Sequence, residues 1–272
     1  MKRSDRMVAL TQFLLEHPKV LYSLPYFVEK YGAAKSSISE DIDIIDNMFQ
    51  QLGVGRVETV AGAAGGVRYI PDFSEENIQK SIEELIGLLE DPSRILPGGY
   101  VYMSDILGDM TIVRQIGKIF ASVFKDLEVD YIVTVATKGI PLAYAVASQL
   151  SVPVVIIRRD PKVTEGSMVS INYVSGSSKK IQSMVLAKRS IKEGSKVILI
   201  DDFMKAGGTI RGIISLMNEF NATVEGIGVL AEAEDEEEER KVNNYISLVK
   251  FNEVNEEKGI ITVKKGNIFD KN

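Results

Sequence analysis

Two acids side by side at the end of an apolar run, followed closely by two glycines and a threonine, are the residues best equipped for chemistry. They lie in Lys196 to Ile210, K-V-I-L-I-D-D-F-M-K-A-G-G-T-I. Val197 to Ile200 read as a buried strand that delivers Asp201 and Asp202. Ile210, Ile213, Ile214 and Met217 mark the buried side of the helix that follows. Gly207 and Gly208 let backbone N–H groups approach an anion at that helix's N-terminus, and Thr209 adds a hydroxyl donor. The paired carboxylates are placed to accept hydrogen bonds from a ribose diol, with Mg²⁺ nearby. This is a strand, phosphate-cradle, helix unit. It is neither a Walker A loop nor a Rossmann fingerprint, since GxxxxGK[ST] and GxGxxG are absent from it. A buried turn would explain the glycines but not the paired acids.

The surrounding elements are those of an α/β domain. From about residue 100 onward, β-rich runs alternate with helical patterns, which implies a parallel sheet. Asp130 to Val135 read as the first core strand, Ala136-Thr137-Lys138-Gly139 as a turn, and about Pro141 to Leu150 as a helix. Val152 to Ile157 form a second strand, followed by Arg158 and Arg159. Asp160 to Lys180 read as a loop of 21 residues with five serines, long enough to imply function or mobility. Residues 71 to about 100 form one helical pattern closed by a Pro/Gly-rich loop, Pro97-Gly98-Gly99.

Residues 1 to about 70 follow another grammar. Helices are expected from about Ser4 to Glu16, from Leu24 to Tyr31, and from Ala33–Ser37 through Leu52. Ile38, Ile42, Ile45 and Phe49 stand at helical spacing in the third, and Ser37 and Glu40 stand in capping-box relation at its start. Two β-prone runs around the small-residue stretch Ala61 to Gly66 complete a winged helix-turn-helix. In that arrangement the third helix enters the major groove by its N-terminal end. The DNA-facing candidates are Lys35, Ser36, Ser37 and Ser39 at that end, Arg56 and Arg68 in the wing, and Lys2, Arg3 and Arg6 at the N-terminus. Glu40, Asp41, Asp43 and Asp46 read as an acidic outer face turned away from DNA. Eight basic and eight acidic side chains balance within residues 1–70, so attraction to phosphate must come from placement. A small packing or dimerisation domain is the competing reading of this segment.

Composition excludes other chemistries. The 272-residue chain has no Cys, which removes disulfides, thiolate zinc sites and a Cys nucleophile together. Its single His17, before Pro18 at a helix end, suits capping better than catalysis or metal ligation. No apolar signal core follows the N-terminus, and no run is long and apolar enough for a membrane span, so a cytoplasmic protein is expected. The formal charge of −6 arises from 32 basic and 38 acidic residues. Seven of those acids sit in the run 232–239, read as a solvated face or loop, and without them the balance is near neutral.

The stretch 196–210 resembles the phosphoribosyl pyrophosphate (PRPP) motif of type I phosphoribosyltransferases, and the likeness spans about residues 100–230. It implies that Asp201 and Asp202 contact ribose hydroxyls, and that Lys205, Ala206, Gly207, Gly208 and Thr209 hold the 5′-phosphate. It also implies that Thr137, Lys138 and Gly139 form a pyrophosphate loop, and that Lys162, Lys179 and Lys180 lie on a loop that closes over the ligand. Arg158 and Arg159 could touch pyrophosphate or form surface ion pairs. With the winged helix in front, essentially the whole chain resembles the purine-operon repressors of Gram-positive bacteria. The supporting stretches are A-K-S-S-I-S-E-D-I, A-G-A-A-G-G-V, L-P-G-G-Y-V-Y, V-A-T-K-G-I-P-L-A-Y and I-D-D-F-M-K-A-G-G-T.

That resemblance implies a homodimeric repressor that binds duplex DNA upstream of purine genes, with PRPP and Mg²⁺ as inducer. Guanosine tetra- or pentaphosphate is implied as corepressor in the same pocket. Tyr100 and Phe203 become candidates to contact a nucleobase. The expected division is a winged-helix domain over 1–72 and a phosphoribosyltransferase-like effector-binding and dimerisation domain over 73–272. Lys205-Ala206 stands where the enzymes commonly begin the loop with Thr or Ser, and residues 231–272, which would have to form a base-binding hood, carry no base-reading motif. A retained ligand and a lost reaction are therefore expected, with no catalytic residue and no protein-only metal site. The alternatives are a catalytically active purine phosphoribosyltransferase and an RNA-binding attenuator of pyrimidine genes, which shares the fold.

Overall fold

The computed structural model describes residues 1–62, 64–160, 166–174, 181–233 and 242–270. They form two compact units. The first comprises Met1–Ile78, Lys118–Asp126 and Ser148–Ser151, and the second Gln79–Gly117, Leu127–Ala147 and Val152–Asn272.

In the first unit, helices α1 (Arg3–Glu16), α2 (Leu24–Tyr31) and α3 (Lys35–Gln51) precede strands β1 (Gly55–Val60) and β2 (Gly66–Pro71). The helical spacing works as expected: Leu10, Phe13 and Leu14 of α1, Phe27 of α2, and Ile38, Ile42, Ile45 and Phe49 of α3 bury into one core. Val57, Val67 and Tyr69 seal it from the hairpin, whose strands pair antiparallel from Gly55↔Pro71 to Val60↔Gly66. The expected capping box is absent. Only Ala33 and Ala34 separate Gly32 from α3, so the helix starts at Lys35, Ser37 falls inside its first turn, and Ala34 caps it without a side-chain bond. His17 ends α1, its backbone N–H donating to the Leu14 carbonyl, with Nδ1 2.8 Å from the Phe13 carbonyl oxygen.

The second unit is built on a sheet. Helix α4 (Glu75–Leu89), the short strands β3 (Ile95–Leu96) and β4 (Tyr100–Val101), α5 (Ser104–Gly108) and α6 (Met110–Val123) lead into β5 (Tyr131–Val135). Then come α7 (Ile140–Leu150), β6 (Val154–Ile157), β7 (Met168–Val174), β8 (Ile181–Ala187), β9 (Lys196–Met204) and α8 (Gly208–Asn218). Strands β10 (Thr223–Ala233), β11 (Ile246–Asn255) and β12 (Ile260–Lys265) complete it. The described strands of the main sheet run in the order β12-β11-β10-β9-β5-β6, parallel except for the antiparallel edge β12. Ile132, Val133 and Val197–Ile200 are wholly buried, the unbroken apolar pattern of strands covered on both faces. Because β6 lies on one side of β5 and β9 on the other, the winding reverses between β5 and β9. Open α/β sheets bind ligands outside the carboxyl ends of strands at such a point.

Two sequence expectations need correction. Within the stretch read as a loop, Met168–Val174 form β7, paired antiparallel with β8. Its alternation of exposed Ser170 and Asn172 with the more buried Ile171 and Tyr173 is a strand period that the serines obscured. Lys162, Lys179 and Lys180 lie outside the described residues. The stretch that would have to form a hood supplies β11 and β12, because Ile246–Asn255 and Ile260–Lys265 carry enough apolar residues to extend the sheet. Glu232, the first acid of the run 232–239, is not on a solvated face. It is 3% exposed in β10 and accepts hydrogen bonds from Tyr245 (2.5 Å) and Ser247 (2.7 Å). Residues 234–239 lie outside the described residues.

Candidate functional site

The winding reversal places the carboxyl ends of β5 and β9 side by side, and a cavity of about 440 Å³ opens there. From β9 it takes Asp201, Asp202 and Phe203; from the end of β5 and the turn after it, Val135, Ala136, Thr137 and Lys138; from just beyond β6, Arg159; and from the start of α8, Thr209. A smaller hollow of about 70 Å³ is lined by Phe203 through Ile210, so it contains Lys205, Ala206, Gly207 and Gly208. Gly207 precedes α8 with φ +78°, a left-handed conformation that glycine adopts without strain. Gly139 has a different reason: a Cβ there would collide with Thr134 Oγ1 and reach 3.2 Å from Asp201 Oδ1. Only a bare backbone lets the β5 turn lie against the acidic strand end.

Two carboxylates here share a strand end. Burial, reinforced by the neighbouring Asp202 charge, pushes the Asp201 carboxyl well above the ordinary range, and Arg159 offsets part of this. Burial also raises Asp202, opposed by its interactions with Asp201 and Lys138. The Asp202 N–H donates to Asp201 Oδ1 at 3.0 Å. The apolar strand carries this burden: each fully buried Val or Ile contributes roughly 1.5–3 kcal/mol, which offsets the cost of desolvating the acids. A divalent cation would relieve the repulsion, and the donor set fits Mg²⁺ held by one or two carboxylates and otherwise by ligand phosphates and water. No group of three or more His, Cys, Asp or Glu among the described residues could hold a metal alone.

The cavity gathers Asp201, Asp202, Phe203, Thr209, Thr137 and Lys138, with Gly139 packed beneath. It does not gather Tyr100, which stands 64% exposed on β4 and is absent from the lining. The motif L-P-G-G-Y-V-Y closes the β3–β4 hairpin instead. The sequence allows Arg159 either a pyrophosphate contact or a surface pair, and the structure places it in the lining. The available signal was its place just beyond β6, on the same carboxyl edge. Buried Thr134, whose hydroxyl has no hydrogen-bond partner among the described residues, carries no sequence signal.

The other candidate surface lies in the first unit. The first N–H groups of α3 have no side-chain cap, and they lie beside exposed Lys35 and Ser36 and half-buried Ser37 and Ser39. Exposed Lys2 caps α1. The arginines are differently disposed. Arg6 is buried, and its Nε donates to Asp41 at 2.6 Å, which removes its charge from any surface DNA could meet. Asp41 is fully buried rather than on an outer acidic face, and it also accepts from Arg3 at 2.9 Å. Asp46 accepts the Val57 N–H at 2.6 Å, tying α3 to β1. In the wing, Arg68 pairs with Glu58 directly across the hairpin at 2.5 Å, and Arg56 with Asp72 at 3.0 Å.

Together, the five-element reading head and the sheet-end pocket define a class: a winged-helix unit coupled in one chain to a phosphoribosyltransferase-fold unit. Comparison with known proteins agrees. Residues 2–71 match the family model "Bacterial purine repressor, N-terminal", and residues 103–260 match "Phosphoribosyl transferase domain". The chain is 57% identical over 268 residues to the purine biosynthesis transcriptional repressor PurR of Bacillus subtilis, covering 98% of this chain and 94% of that one. It is 45% identical over 270 residues to the purine biosynthesis transcriptional activator PurR of Lactococcus lactis, covering 99% of each. The chain belongs to the bacterial purine repressor family. A xanthine phosphoribosyltransferase of Lactococcus lactis is 36% identical over 155 residues, covering 53% of this chain and 78% of the enzyme. Among solved structures, adenine phosphoribosyltransferase from Thermoanaerobacter pseudethanolicus shares the fold with TM-score 0.54 at 23% identity, over 62% of this chain and 99% of that one. No described helix is long and apolar enough to cross a membrane.

Proposed function

We propose that this protein is a cytoplasmic, DNA-binding regulator of purine biosynthesis genes that senses PRPP in its phosphoribosyltransferase-like pocket without catalysing transfer. One observation carries the reading. A single chain joins a winged helix with an uncapped recognition-helix start to a pocket pairing Asp201–Asp202 with the Gly207–Gly208–Thr209 cradle. Asp201 and Asp202 take the ribose hydroxyls, the backbone from Lys205 to Thr209 the 5′-phosphate, and Thr137, Lys138 and Arg159 the pyrophosphate. Asp201 and Asp202 would hold Mg²⁺, whose charge would offset that of the carboxylates and of the ligand's phosphates. Guanosine tetra- or pentaphosphate competes for the same cradle as corepressor, and a homodimer presents two winged helices to operator half-sites. Mg-PRPP binds preferentially to the state with lower DNA affinity, so DNA and PRPP weaken each other reciprocally.

The sign proposed is repression, following the Bacillus subtilis relative; the lactococcal activator shows that this architecture serves both signs. The xanthine phosphoribosyltransferase relatives favour one rival, a working purine transferase. The test is titration of duplex DNA from upstream of purine genes across a salt series, with and without Mg-PRPP. Affinity that falls steeply with salt and drops with Mg-PRPP is expected. Absence of DNA affinity at low salt, together with pyrophosphate release from PRPP plus a purine base, would establish the rival.

A further inference from the structure

Arg56 shares its counter-ion. Asp72, two residues before the end of the wing's connection to α4, accepts from Arg56 Nη1 through Oδ2 at 3.0 Å, and from Lys125 Nζ through Oδ1 at 2.7 Å. The three side chains are 36%, 30% and 27% exposed, so a phosphate can reach the triad. Lys125 is fixed from behind. Lys19 Nζ donates to its carbonyl at 2.8 Å, and the Phe73 N–H donates to Ser122 Oγ at 2.7 Å one turn earlier. The backbone that carries Lys125 is therefore held next to the Asp72 segment by bonds that do not involve Arg56.

We propose that Lys125 is a reserve counter-ion that lets Arg56 leave Asp72 for a DNA phosphate. The inference rests on the DNA-binding reading above. A phosphate that draws Arg56 away would otherwise face a bare carboxylate, and like charges at short range oppose docking. With Lys125 on its other oxygen, Asp72 stays neutralised and Arg56 exchanges one anion for another. Lys125 thus promotes DNA binding without touching DNA, as a positioning residue. Asp72 acts in the opposite sense, as a competitor that restrains Arg56.

The two variants must therefore move affinity in opposite directions. In the full-length protein, Asp72→Asn should bind duplex DNA from upstream of purine genes about 3–10-fold more tightly and steepen the salt slope by up to about 1. Lys125→Met, which keeps the aliphatic stem, should weaken binding by about 3–10-fold. On the Asp72→Asn background Lys125→Met should be silent, as should Asp72→Asn on an Arg56→Met background. Glu83→Gln, which removes an acid paired with Lys265 elsewhere, controls for net charge and should change nothing. Thermal midpoints and Mg-PRPP affinity certify folding. Equal weakening by Lys125→Met in both backgrounds would place Lys125 on the phosphate itself and overturn the proposal, as would a shift in the same direction by both single variants. Wild-type protein with no duplex affinity at low salt would overturn the DNA reading instead.

Discussion

At the reading head, Arg3, Arg6, Arg56 and Arg68 each have an acid within ion-pair distance, whereas in the pocket Asp201 and Asp202 crowd one strand end with no ion pair to any base among the described residues. The first region is nearly neutral because opposite charges are matched; the second is under strain because two adjacent acids are buried. Binding therefore does different work in each. DNA must exchange partners at the head, so specificity and salt dependence come from which internal pair yields. A ligand that brought a divalent cation to the pocket would offset the cost of burying the two acids side by side, so affinity and stability would be linked there.

The contrast can be broken at either end. The largest effect is expected from Asp202→Ala, which should lower Mg-PRPP affinity by about 10–100-fold in calorimetry, as for loss of a charge-assisted contact, and leave DNA affinity of the ligand-free protein intact. Unchanged PRPP binding would remove the motif from the site. Arg68→Ala should do the reverse, weakening DNA binding by about tenfold and lowering the salt slope by about 1, with PRPP binding unaffected. Next in size, Asp201→Asn should raise the thermal midpoint of the ligand-free protein at neutral pH by about 2–4 °C per kcal/mol relieved, while reducing PRPP affinity. A stabilised protein that binds its ligand worse is the signature of strain held for function.

The smallest effect is in pH. Because folding raises the Asp201 pKa, the folded state holds that proton more tightly than the unfolded chain does. Its contribution to stability is complete below the ordinary carboxylate range and is lost as pH rises through the raised value. The ligand-free thermal midpoint should therefore drift down over that window, and Asp201→Asn should flatten the drift. An identical drift in the variant would assign it to another group.

Local signals were readable from sequence and distant partners were not. The helical spacing in α3, the strand before Asp201 and the Gly207–Gly208–Thr209 start of α8 are all set by neighbours within a few residues, and the structure has them where the patterns predict. Arg6 looked available to DNA because nothing local reveals that Asp41, on another helix, buries against it. Glu232 looked like the start of a solvated run because its bonds to Tyr245 and Ser247 depend on the register of β10 with β11. Ser170 and Asn172 disguised β7 because polar residues suit the exposed face of a strand as well as a loop. Arg159 joins the lining because β6 runs parallel to β5 and ends at the same carboxyl edge, so its place just beyond that strand is the signal and the pairing is what gives it meaning.

The first unit borrows Lys118–Asp126 and Ser148–Ser151 from far along the chain. It is therefore not a cassette. A transplant that cut after residue 72 would carry the recognition helix and wing away without Ser122 or Lys125, leaving Asp72 with Arg56 alone. Such a graft should read DNA less well than its parent even where it folds. Swapping specificities between members of this architecture would require moving the end of α6 together with the head, so the natural unit of exchange is a surface stitched from several segments.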